Sequence, residues 1–199
     1  AAAPPGAPPT PAGGDPVPLA TDTTVTAERE MLANAFVYGF PAPGYEHPDY
    51  AAFKIIESHL ASGDRSSIAF WLPQYELAAG VGVIYAPYPR RSSIAVYLGA
   101  TPANFETARD TVLTVMNRLK EMPLDESEWQ TQLKRVQNGQ FLNQNDPMVR
   151  ARSMSQFEAA GVGYDFPRRF EESLLKLNTE SVRAAAERWF THSCEAVLS

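Results

Sequence analysis

A hydrolytic zinc centre is the first chemistry to test for, because the chain has only three histidines: His47, His59 and His192. Such a centre needs two imidazoles a helical turn apart to converge on one metal, with a carboxylate that activates water. The compact spacings are His-Glu-x-x-His and its inverse, His-x-x-Glu-His; no pair of these histidines forms either. His192 and Cys194 stand two apart, which on a strand puts them on one face, but two ligands fall short of the four that a structural site uses. Cys194 is the lone cysteine, which excludes an internal disulfide and a Cys-rich metal site. No base or orienting group marks it as a nucleophile. Gly80-Val81-Gly82 enters a strand and does not open a helix, so it lacks the setting of a phosphate loop. Asp125, Glu126 and Glu128 cluster at a helix start, where the macrodipole favours carboxylates without any catalytic duty. His59, on an apolar helix face, reads as a hydrogen-bonded core histidine. No catalytic, cofactor-binding or metal-binding residue is assigned.

The elements that would hold such groups follow from hydrophobic period and punctuation. From Thr23 to Phe40 the residues alternate enough for one strand or two short ones. Tyr50 to Leu60 reads as a helix, with Phe53, Ile56 and Leu60 on one face, Asp49 as its cap and Gly63 just beyond its end. A shorter helix over Ser66–Leu72 should stop before Pro73. GVGVIYAPY and SSIAVYLGA form a hairpin through Pro89-Arg90-Arg91. Phe105, Ala108, Val112, Val115, Met116 and Leu119 make a helical stripe. Asp125 with Glu128 is a capping box for a helix to about Phe141. Asp146-Pro147 starts another that ends at Gly161. Phe170–Leu175 is a short helix, Thr179 caps the last one through Phe190, and CEAVL is a closing strand. Trp71, Trp129 and Trp189 read as core. A hairpin with grouped helices argues α+β: a two-layer domain with a largely antiparallel sheet and helices on one face.

Composition sets the outer bounds. At 199 residues and 44% hydrophobic content, one sizeable core is the default. Residues 1–22 differ in kind: AAAPPGAPPTPAGGDPVPLA is rich in Pro, Ala and Gly and has no basic residue, so they read as a disordered, semi-extended tether. Residues 23–199 are then a single α+β domain. A net charge of -6 with scattered basic residues excludes a nucleic-acid partner. Apolar runs of a few residues exclude a transmembrane segment.

Four segments, in order, resemble one family. GFPAPGYEHPDY (39–50), HLASGDRSSI (59–68), the helix over Glu128–Gly139 and NTESVRAAAERWF (178–190), carried by Thr179, Val182, Ala185 and Phe190, look like the second, non-zinc-binding domain of insulinase/pitrilysin/mitochondrial-processing-peptidase-like zinc metallopeptidases. The likeness spans Leu32 to Ser199. It implies a unit of two related α+β domains around a chamber that admits unfolded peptides, with the inverted zinc motif in the first. This chain would then be a non-catalytic domain that needs no cofactor of its own, its zinc lying in a companion domain or subunit. Its partners would be that zinc-bearing domain and unfolded peptide.

Helper domains of this family carry an arginine and, seven residues on, a tyrosine that hold the substrate carbonyl. Ungapped alignment on Leu72 puts Pro73 and Gly80 at those positions; a gapped one nominates Tyr85 but restores no arginine. The resemblance leaves two alternatives: a scaffold or core subunit of the same fold with no proteolytic role, and an unrelated α+β binding module. A two-domain unit also predicts an exposed apolar patch of several hundred Å².

Overall fold

The computed structural model describes residues 19–28, 33–64, 67–78, 80–88 and 92–198. Most of the proposed tether and the Pro89-Arg90-Arg91 turn lie outside them. Two strands occupy the first stretch, β1 (Thr23–Ala27) and β2 (Asn34–Ala42), followed by helices α1 (Tyr50–Ala61) and α2 (Ile68–Gln74). The hairpin is β3 (Gly80–Ala86) and β4 (Ser92–Ala100); then come α3 (Phe105–Glu121), α4 (Glu126–Asn145), α5 (Pro147–Ala159), α6 (Phe166–Leu174), α7 (Thr179–Trp189) and β5 (Cys194–Leu198).

The five strands make one sheet in the order β1-β5-β2-β4-β3. Only β1 with β5 is parallel; the other pairings are antiparallel. Period-2 alternation gives β2 and β4 one buried face, with Phe36, Phe40, Ile94, Val96 and Leu98 meeting the helices. Against them lie Phe53, Ile56 and Leu60 of α1, Ala108, Val112 and Met116 of α3, and Val182, Ala185 and Ala186 of α7. The sheet with its single helical layer is the α+β architecture expected.

Local chemistry departs from expectation at several termini. Asp49 sits at the N-cap of α1 in αR geometry, and its side chain bonds no helical N–H; it is committed elsewhere. α2 runs through Pro73 to Gln74, two residues past the expected stop, capped by Ser67, whose hydroxyl accepts from the Phe70 N–H. Pro73 has no N–H to reach Ala69 at i−4, and the helix ends one residue later. The capping box is present: Asp125 accepts from Glu128 N–H while Glu128 accepts from Asp125 N–H. α4 continues to Asn145, beyond Phe141, until Asp146 takes the next start and accepts from Met148 and Val149 N–H. α6 begins at Phe166, four residues before Phe170, since Phe166, Phe170 and Leu174 make one buried stripe. Asn178, not Thr179, caps α7 by accepting from the Ser181 N–H.

Candidate functional site

The features built from named side chains are an uncharged sheet face, the α2–β3 corner and a set of buried polar ties. The sheet face comes first because the alternation that buries Phe36 and Val96 turns their neighbours outward. Register sets Val37 beside Tyr97 and Ala196, Gly39 beside Ala95 and Cys194, and Gly82 beside Tyr97. Val25 of β1 and Ile84 of β3 extend the same face to both edges. No position on it carries a charge, and Val25, Val37, Ile84 and Tyr97 are all exposed. Small residues at Gly39, Ala95 and Ala196 leave a broad trough of about 550 Å³, walled by Val37, Pro41, Cys194 and Leu19. Tyr97 lies over Gly82, where an added Cβ would come within 2.2 Å of the ring, so glycine there lets the aromatic lie flat. Exposed apolar patches commonly mark sites of contact with another surface.

The α2–β3 corner is where the resemblance looked for an arginine and a tyrosine. Pro73 is exposed near the end of α2, and Gly80 is exposed at the start of β3, opposite Gly99. Between Ser67 and Gly80 the sequence holds no Lys, Arg or His. Tyr75 stacks on Trp71 with centroids 5.2 Å apart, and Glu76, at φ 55°, gives its carbonyl to the Asn104 amide. Tyr85 is buried beside Tyr50 and Phe53, with its hydroxyl donating to the Pro43 carbonyl at 2.5 Å. Burial pushes that phenol well above its ordinary range, so it serves as a strut between β3 and the turn before α1.

The histidines are dispersed. His47 accepts at Nδ1 from the Asp49 N–H (3.1 Å) and presents its ring edge-on to Trp189. His192 Nδ1 is 3.8 Å from Asp22. His59 is buried in α1 with Nδ1 lacking a hydrogen-bond partner among the described residues, which corrects the expectation of a hydrogen-bonded core histidine. Burial, the largest influence, pushes its pKa down; Glu128, Asp64 and Asp125 oppose the shift and Arg118 adds to it. Among the described residues no three His, Cys, Asp or Glu side chains gather as a metal site.

Three polar ties went unseen in the sequence because their partners are remote. Asp49 accepts from Arg188 (2.5 Å) and the Trp189 indole (2.9 Å), locking the start of α1 to the end of α7. Arg109 on α3 makes a bidentate bond to Glu195 on the inner face of β5, at 2.7 and 2.9 Å. Gln132 is buried, accepting from Ser58 and donating to Asp64, which also receives Arg135.

Comparison with known proteins bears on the family and the fold. Residues 2–136 match the family model described as the peptidase M16 inactive domain. No curated protein matches significantly. A protease from Helicobacter pylori superposes with a TM-score of 0.78 at 16% identity, over 88% of this chain and 44% of that one. A peptidase M16 inactive domain from Pseudomonas fluorescens gives 0.78 at 15% identity, over 93% and 45%. The inactive peptidase domain of a candidate zinc protease from Bordetella parapertussis gives 0.73 at 16% identity, over 87% and 96%. The chain thus spans under half the length of the first two, and identities this low speak to the fold alone.

Proposed function

The chain belongs to the peptidase M16 inactive-domain family, and from that membership we propose that it is the non-catalytic domain of a zinc metalloendopeptidase. In this reading the zinc is held by a companion domain or subunit. The chain contributes part of the wall of a chamber that receives unfolded peptide. Its uncharged sheet face is the surface on which the companion docks.

The observation that supports this most directly is the outward set Val25, Val37, Ala95, Tyr97, Ile84 and Ala196, which is apolar from edge to edge. A face of this kind left in water would invite aggregation, whereas an inter-domain contact covers it. Pro73 and Gly80, at the positions where helper domains carry arginine and tyrosine, supply no donor side chain. The chain is therefore assigned no contact with the scissile bond. The same corner favours a second reading, a scaffold subunit of this fold that has no proteolytic partner.

Recovery of the native assembly with an antibody to this chain separates the two. Mass spectrometry, zinc content and peptide cleavage are read on one sample. A polypeptide carrying His-x-x-Glu-His, with metal and cleavage, is the expected result. An Ala95→Arg variant, placing one charge at the centre of the face, should release that companion at least about tenfold more readily. An assembly with neither motif nor cleavage overturns the peptidase reading and leaves the scaffold.

A further inference from the structure

The α4–α5 corner stands apart from everything above. Ten consecutive residues, 141–150, are exposed, and they join two helices through the single residue Asp146. Within them Phe141 and Leu142 are each 67% exposed, Met148 is 79% and Val149 is 37%. Helices do not ordinarily end by offering four large apolar side chains to water. The family reading gives this corner no task, since the docking face is on the sheet.

Charge around the corner is arranged as well. Asp146 is its sole acid, and that carboxylate is spent on the Met148 and Val149 N–H groups. The intervening Asn143, Gln144 and Asn145 are neutral. Lys134 lies seven residues before Phe141, two turns back on the same side of α4 and about 10 Å along its axis. Arg152 lies four residues after Met148, one turn and about 6 Å back along α5. Among the described residues, neither Lys134, Arg152 nor the adjacent Arg150 forms an ion pair, although six of the seven other described arginines do. A chain with a net charge of -6 thus gathers unpaired cations behind an apolar prow.

From this geometry we infer that the α4–α5 corner inserts into the interfacial region of an anionic lipid bilayer. Apolar groups at such a depth sit about 5–10 Å into the headgroup boundary, the spacing at which Arg152 and Lys134 would meet lipid phosphates. A protein partner fits less well. The four side chains expose on the order of 500 Å², taking about 200 Å² for a whole large apolar side chain. That is short of the ~800 Å² per partner of a standard interface. No described helix is long and apolar enough to cross a bilayer.

The test is co-sedimentation of the 199-residue chain with vesicles of phosphatidylcholine alone and with about 30% phosphatidylglycerol. The chain should pellet with the anionic vesicles, and 0.5 M salt should release much of it. The variant Phe141→Ser/Leu142→Ser/Met148→Ser should partition at least about tenfold less. Because all three residues are exposed, its thermal unfolding should match the parent. Arg152→Glu should weaken binding to anionic vesicles without altering the fold. The inference is overturned if the parent stays in solution with anionic vesicles, if the serine variant pellets as well as the parent, or if phosphatidylcholine alone binds equally.

Discussion

Arg109→Met is the most instructive perturbation of the fold. The substitution keeps the aliphatic stem and removes both donors that reach Glu195, leaving a carboxylate whose side chain is 11% exposed. Deleting one member of a fully buried pair costs about 3–5 kcal/mol. Arg109 retains 29% exposure, so water relieves part of that penalty, and we expect about 2–3 kcal/mol. For a chain of this length that lowers Tm by roughly 4–12 °C. Adding Glu195→Leu should recover most of the loss, since the apolar pair leaves no charge without a partner. The assay is urea unfolding of the four proteins of the cycle, with the m-value checked for constancy. A single-variant cost under about 0.5 kcal/mol, or strict additivity in the double variant, would refute the view that this pair is what fastens β5 to α3.

Two further outcomes follow from His59 and Asp49. His59 is held neutral by burial, so its folded pKa lies below the unfolded value of about 6.5. The unfolded chain therefore binds more protons, and the stability that His59 allows is complete above about pH 6.5 and is lost as pH falls through the folded value. His59→Gln should flatten the urea midpoint between pH 7.5 and 5; an unchanged slope would assign the acid sensitivity to other groups. Asp49→Ala should cost about 1–2 kcal/mol by leaving the Trp189 indole and Arg188 without their acceptor. Thermal unfolding measures it, and a Tm within 1 °C of the parent would show that the α1–α7 lock is dispensable.

Periodicity made most of the architecture legible, because β4, α1 and α3 each repeat an apolar residue at the spacing of their element. The capping box and the α5 start were readable because a cap is local: the residues that make it lie within four positions of one another. Sheet order was not readable. Nothing in Thr23–Ala27 announces that it pairs with Cys194–Leu198. The same limit hid the Arg109–Glu195 and Asp49–Trp189 ties, whose members are separated by 86 and 140 positions. Asp49 shows how local reasoning errs, since an aspartate before a helix is a good cap until a tryptophan indole competes for its oxygens. The corner at Phe141 and Met148 was passed over for a related reason. Apolar residues on a helix read as core by default, and only the fold shows that nothing covers these.

The placement of β5 has a consequence for how the chain is made. The last strand in sequence is an interior strand of the sheet, and β1 reaches the rest of the sheet only through it. On a ribosome, β2 to β4 and most of the helices can assemble as they emerge, but β1 has no edge to join until Cys194–Leu198 is free. Until then β2 keeps a bare backbone edge, open to any passing strand. Closure then depends on a contact spanning nearly the whole domain, the slow kind in folding. The interval between synthesis of α7 and docking of β5 is thus when this protein is most exposed to mispairing and to chaperones.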